Sequence, residues 1–267
     1  MLFHRLLAGG IGVLAAVAGV APAAAQTAAP AYTYVAVGDS VAAGVGAPPY
    51  LDPECLRSSN GYPTLLASTV EHGAASRSEA CAGATTMDVV SGQLSSLSRQ
   101  TRLVTVTVGG NDLEFSSRMA TCMQGTDADC TAVVEAAQAF TTGQLRGRLD
   151  GVYRAVRQRA PRAEIVATGY PRFFETTADC AAVPPASLVK RKALNETVDL
   201  LNRVIAGQAR RAGARFADVQ PRFTAHGLCG ADPWITGLTD AGAFHPTAVG
   251  YRAGYLPALR KAIDCRR

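Results

Sequence analysis

The sequence predicts an α/β fold built on a central parallel sheet with helices on both faces, and three observations carry that prediction. Short β-rich apolar runs alternate along the chain with longer stretches of helical periodicity. Several of the runs stop abruptly at glycine-bearing polar turns, as strands buried on both faces do. The chain has 267 residues, 48% hydrophobic and only 18% charged, enough for one large core and too apolar for a disordered protein.

The first 25 residues stand apart from this pattern. Arg5 supplies a positive charge, Leu6 to Val20 form an apolar run, and Ala23, Ala24 and Ala25 close it with small residues. That order is that of an export signal cleaved after Ala25, which leaves residues 26–267 as a single domain, secreted and extracellular. No cysteine precedes Cys55, so a lipidated N-terminal cysteine is excluded.

Within the domain, Tyr32 to Val37 reads as a strand that runs into the turn Gly38-Asp39-Ser40. Leu103 to Val108 is a second, ending at Gly109-Gly110-Asn111-Asp112, and Glu164 to Thr168 a third, ending at Gly169-Tyr170-Pro171. Arg215 to Val219 gives a fourth, and a weaker strand sits just before Cys81. Between them Leu145, Leu149, Val152 and Val156 mark one helical face, and Leu194, Val198, Leu201 and Ile205 another. In such a sheet ligands bind beyond the carboxyl ends of the strands. The segments Gly38 to Ser40, Cys81 to Thr86 and Gly109 to Asp112 should therefore converge on one crevice. Long cysteine-bearing loops after Gly110, Gly169 and Val219 should wall it, and Tyr62, Phe115, Tyr170, Trp234 and Phe244 are its candidate aromatic lining.

Charge and cysteine content exclude some functions. The net charge of +5 comes almost wholly from scattered arginines, with lysine only at 190, 192 and 261. A nucleic-acid partner would need them clustered. No paired cysteine or histidine spacing argues for a metal, and no cofactor is expected. In an exported chain the seven cysteines read as disulfides. Six can pair in fifteen ways, which the sequence does not decide. Pairing of chain neighbours is expected: Cys55 with Cys81, Cys122 with Cys130 and Cys180 with Cys229, leaving Cys265 free.

Gly38-Asp39-Ser40 on its own is only a turn: Ala42 stands where an α/β-hydrolase elbow has its second glycine, and the lysine of a phosphate loop is missing. Read with Gly83-Ala84-Thr85, then Gly109-Gly110-Asn111-Asp112, then His245-Pro246, it resembles in order and spacing the four blocks of the SGNH (GDSL) esterases and lipases, most closely their secreted actinobacterial branch. The resemblance implies a flavodoxin-like three-layer α/β/α fold and ester hydrolysis through an acyl-enzyme. It implies Ser40 as nucleophile, His245 as base, and Ser40, Gly83 and Asn111 as oxyanion donors. Chemistry asks for the same parts, because a serine hydroxyl attacks only when an imidazole takes its proton. Once His4 leaves with the signal, His72, His226 and His245 remain, and His245 lies in a Pro-stiffened loop ahead of a C-terminal helix.

The sequence departs from the family at the third triad member. Where an aspartate should stand three residues before the histidine there is Gly242, and the nearest acid is Asp240. Either Asp240 or a backbone carbonyl near Gly242 is expected to orient His245. Asp39 and Asp112 are expected to bond the backbone of their own turns. The expected activity is hydrolysis of small-molecule or lipid esters by a monomer in at most transient contact with lipid surfaces. The alternatives are an acyltransferase or polysaccharide deacetylase using the same site, and a catalytically weak glycan- or lipid-binding member.

Overall fold

The computed structural model describes residues 32–69, 75–177, 179–240 and 242–264. The export signal, His72 and Cys265 lie outside the described residues. Five strands, β1 (Tyr34–Gly38), β2 (Ser76–Ser78), β3 (Leu103–Thr107), β4 (Glu164–Thr168) and β5 (Arg215–Ala217), form one sheet in the order β2-β1-β3-β4-β5, every pair parallel. This is the doubly wound, flavodoxin-like order, which places the topological switch point between β1 and β3. Both strands are buried along their whole length. That is why they read as continuous apolar runs rather than as alternating ones.

Helices cover both faces. α3 (Thr86–Gly92), α6 (Gln144–Arg159) and α7 (Leu188–Arg211) pack side by side with α5 (Asp127–Thr142) against α6 and α7, while α2 (Tyr62–Ala67) packs with α8 (Leu256–Asp264), which lies on β4 and β5. The helical faces read from the sequence are the buried ones: Leu145, Leu149, Val152 and Val156 on α6, and Leu194, Val198, Leu201 and Ile205 on α7. The layer between α2 and β3 is tied by polar atoms as well as by packing. Tyr62 Oη meets Thr107 Oγ1 at 2.8 Å, and Thr107 Oγ1 meets Thr168 Oγ1 at 2.6 Å, so three buried hydroxyls satisfy one another across β3 and β4.

One expectation is corrected. The segment after β3 is not a cysteine-bearing loop but two helices, α4 (Phe115–Gln124) and α5. The local cause is Thr126, whose side chain accepts from the Asp129 N–H while Asp129 returns a bond to the Thr126 N–H, a capping box that starts α5 only two residues after α4 ends. Cys122 and Cys130 then face each other across the α4–α5 corner and are bonded, as are Cys55 with Cys81 and Cys180 with Cys229. No helix among the described residues is long and apolar enough to cross a membrane.

The three cross-links close loops of sequence separation 8, 26 and 49. Chain-entropy arguments give about 2.5 kcal/mol for the shortest and about 4 kcal/mol for the longest. Urea unfolding should therefore rank the paired Cys→Ala variants with Cys180/Cys229 least stable and Cys122/Cys130 closest to the parent, and the reverse order would show that strain or unfolded-state structure dominates.

Candidate active site

Everything in the site hangs on how β1 ends. The main chain at Gly38 has φ +140, and a Cβ there would stand 2.0 Å from the Thr107 carbonyl oxygen, so only glycine brings β1 this close to β3 at the switch point. The Gln93 side chain, at the C-cap of α3, clamps the same residue, accepting from the Gly38 N–H at 2.7 Å and donating to its carbonyl at 2.9 Å. Asp39 caps the four-residue helix α1 (Ser40–Ala43), its Oδ1 accepting from the Val41 N–H at 3.0 Å. Ser40 is thus the first residue of a helix, held at the carboxyl edge of the sheet.

His245 arrives from the other end of the chain. Its Nε2 stands 2.7 Å from Ser40 Oγ. Its Nδ1 faces two backbone carbonyls, Ala243 at 2.9 Å and Gly242 at 3.1 Å. Carbonyls only accept, so Nδ1 carries the hydrogen and Nε2 turns its lone pair to the serine. The loop is fixed by Thr236, whose hydroxyl donates to the Gly242 carbonyl at 2.6 Å and accepts the His245 N–H at 3.0 Å. Burial pushes the imidazole pKa below its ordinary 6.5, against the two carbonyls that favour the protonated ring.

Asp240 does not reach the imidazole. Its carboxylate accepts from the Gly237 N–H at 2.7 Å and so closes its own turn, which leaves the backbone-carbonyl alternative as the arrangement observed. Among the other histidines, His226 stacks on Trp234 at 3.6 Å with its Nδ1 on the Asp232 carbonyl, away from the site.

Gly83 and Asn111 come together as the spacing of the blocks suggests. The Asn111 side chain donates from Nδ2 to the Ala84 carbonyl at 3.0 Å, which keeps its carboxamide against the Gly83 segment and leaves its second N–H free. Gly83 has φ +82 and open space where a Cβ would be. Among the described residues neither its N–H nor that of Ser40 finds a hydrogen-bond partner. The Cys55–Cys81 bond braces this segment from outside.

Asp112 differs from expectation. Its carboxylate does not serve its own turn but accepts from the N–H and hydroxyl of Thr86, at 2.9 and 2.6 Å, and from Arg148 at 3.0 Å. It pins the start of α3, and with it Gly83, to the turn that carries Asn111. Thr86 ends a segment expected at the crevice, but its bond to Asp112 and the part played by Arg148 were not legible, because nothing local in the sequence links these residues.

Ser40, Asn111 and His245 border a narrow cleft of about 80 Å³, whose walls are Leu113, Phe115, Phe173, Leu194, Val198, Leu201 and Phe244. Phe115, Tyr170 and Phe244 are the expected aromatics that line it; Tyr62 belongs to the core, and Trp234 lies with His226. Phe173 and the apolar face of α7 complete the wall, and neither was marked as cleft lining by the sequence. A more open groove around Arg172, Asp199 and Asp218 contains none of these chemical groups.

A doubly wound sheet that brings a serine and a histidine together at its switch point, with spare N–H donors beside them, carries the groups that an α/β hydrolase uses. Comparison with known proteins is more specific. The GDSL-like lipase/acylhydrolase family model matches residues 36–253, and the chain belongs to that family; it is a carboxylic ester hydrolase. It is 41% identical over 254 residues to Lipase 1 of Streptomyces coelicolor, covering 93% of each chain. It is 40% identical over 233 residues to a lipase of Streptomyces rimosus, covering 86% of each. The crystal structure of phospholipase A1 from Streptomyces albidoflavus superposes with a TM-score of 0.82 at 40% identity, covering 87% of this chain and all of that one.

Since Asp240 bonds only its own turn, Asp240→Asn should leave kcat/KM for a p-nitrophenyl ester within about twofold of the parent, whereas losing a carboxylate that orients a catalytic histidine costs about 10⁴-fold in kcat. A loss approaching that size would return Asp240 to the histidine.

Proposed function

We propose that the protein hydrolyses acyl esters through an acyl-enzyme on Ser40. The observation that carries this reading is the 2.7 Å contact between Ser40 Oγ and the Nε2 of an imidazole whose tautomer is already set. In acylation Nε2 takes the hydroxyl proton as Oγ attacks the ester carbonyl, and the charge that develops on the carbonyl oxygen meets the N–H groups of Ser40, Gly83 and Asn111. The protonated imidazole then gives its proton to the departing alkoxide, so the alcohol leaves neutral. Water enters, loses a proton to the same nitrogen, and releases the acid while Ser40 regains its hydrogen. The imidazolium formed midway is stabilised by the carbonyls of Gly242 and Ala243 in place of a carboxylate.

The cleft supports an acyl chain of medium or greater length, because its walls beyond Ser40 are apolar and acetate would leave them unfilled. We read residues 1–25 as an export leader and the rest as a secreted single domain, supported by the three disulfides and by the S. rimosus relative, described as an extracellular lipase. Every residue given a role here comes from one chain, so the reading needs no partner copy and keeps the expected monomer. A phospholipid is a second substrate to test, since the S. albidoflavus relative is a phospholipase A1.

Only the neutral imidazole can accept a proton, and a lowered pKa keeps it neutral further into acid. The acid limb of kcat/KM should therefore have its midpoint below pH 6.5, and Ser40→Ala, judged folded by circular dichroism, should lose at least about a thousandfold in kcat. A midpoint above 6.5, or a Ser40→Ala variant that still turns over, contradicts the mechanism.

Across p-nitrophenyl acetate, butyrate, octanoate and palmitate, kcat/KM should rise from acetate to octanoate. A maximum at acetate would favour the deacetylase alternative, and preferential transfer to an added alcohol would favour the acyltransferase.

A further inference from the structure

Asp39 and Tyr170 are buried polar groups that the mechanism above leaves without a task. Both adjoin it: Asp39 precedes the serine, and the Tyr170 ring forms part of the cleft wall. Tyr170 follows β4, and its backbone is gripped by the Asn202 carboxamide of α7, which accepts from the Tyr170 N–H at 2.9 Å and donates to its carbonyl at 2.7 Å. From that fixed base the phenol reaches back across the sheet. Its hydroxyl donates to Asp39 Oδ2 at 2.5 Å and accepts the Gly110 N–H at 3.1 Å. The other carboxylate oxygen of Asp39 holds the Val41 N–H.

This chain of bonds joins two turns that otherwise part company. The end of β1 meets β3 directly through the Asp39 N–H and the Thr107 carbonyl at 2.9 Å, but beyond that bond one segment enters α1 with Ser40 and the other the short 3₁₀ turn Asn111–Leu113. Among the described residues no hydrogen bond runs directly between Asp39–Val41 and Gly109–Asp112 past that point. The Tyr170 hydroxyl touches both, one residue before the nucleophile and one residue before Asn111.

We propose that Tyr170 is a positioning residue of the ester hydrolysis: its hydroxyl, bridging the Asp39 carboxylate and the Gly110 N–H, sets the separation between Ser40 and the oxyanion donor Asn111. The inference rests on the reading of Ser40 and Asn111 given above. Its physical basis is that a phenol oxygen has one hydrogen to give and lone pairs to receive, and both directions are used. Burial drives the phenol pKa far up, as does the neighbouring carboxylate, so the hydroxyl keeps the hydrogen it donates. Burial likewise pushes Asp39 to about 7, against the stabilising bonds from Tyr170 and the Val41 and Ala42 N–H groups and with a small further push from Asp112. The bridge survives either state of Asp39, since a carboxyl oxygen can accept from the phenol whether or not the group is ionised. Without the hydroxyl the half-buried Gly110 N–H loses its partner, and the Asn111 turn is free to shift.

The test is a cycle of Tyr170→Phe, Asn111→Ala and the double variant on p-nitrophenyl octanoate, beside Ser40→Ala. Phenylalanine keeps the cleft wall. Tyr170→Phe should lower kcat about tenfold to a hundredfold with KM within about twofold, the size expected for a misplacement of up to an ångström. In the Asn111→Ala background the same change should cost less than about threefold, because the donor it positions is already gone. A merely structural role would cost the same factor in both backgrounds, and that result, or an unchanged kcat in Tyr170→Phe, overturns the proposal. Should Tyr170→Phe fail to fold, Asp39→Asn in the same cycle decides, since its amide N–H cannot replace the oxygen that Val41 or Tyr170 now shares. Activity surviving in Ser40→Ala would instead overturn the underlying hydrolase mechanism, a distinct failure.

Discussion

The structure is organised around one requirement: two atoms 205 residues apart in the chain, Ser40 Oγ and His245 Nε2, must stand 2.7 Å from each other at the edge of the sheet. In the mechanism proposed here, misplacing either by an ångström would cost severely in rate. Each is therefore anchored several times over. The serine is placed by the Gly38 contact with β3, the Gln93 clamp and the Asp39 cap. The histidine is placed by Thr236 and by the close passage of its loop over Gly46, where a Cβ would come 2.6 Å from the Pro246 carbonyl oxygen. Tyr251, buried at the helical turn that follows, donates to the Val45 carbonyl at 2.9 Å and binds the two segments once more.

Removal of water acts on the neighbouring ionisable groups with opposite sign. It lowers the pKa of His245, whose charged form is a cation, and raises that of Asp39, whose charged form is an anion. For the histidine this favours the neutral ring that can accept a proton. The backbone carbonyls of Gly242 and Ala243 hold that ring without bringing a further negative charge into the site. A buried carboxylate in their place would need its own donors, and Asp112 shows what those are: it needs Thr86 twice and Arg148.

Much of this was legible in the residues. Glu164 to Thr168 is a strand with the expected bounds, and the faces of α6 and α7 are those marked by their apolar spacing. The neighbour pairing of the cysteines is the one formed. The segments at Ser40, Gly83, Asn111 and His245 do meet. Local signals of this kind survive folding because the period of a helix and the closure of a turn depend on a few adjacent residues. α4 is not legible because it has no side-chain cap and follows a left-handed Glu114, whereas α5 does carry a local start signal in its Thr126–Asp129 capping box.

What the sequence determined by itself is the order of the elements, the chemical groups available and the glycines at which the chain must turn, since all of these are properties of short segments. Only the tertiary structure decided which groups serve which. It gave Asp240 to its own turn and Asp112 to Thr86 and Arg148, made Phe173 and the face of α7 into a cleft wall, and set Tyr170 between Asp39 and Gly110. The physical reason is that a carboxylate or hydroxyl bonds to whichever donor or acceptor packing brings within 3 Å, and packing is settled by the whole core at once.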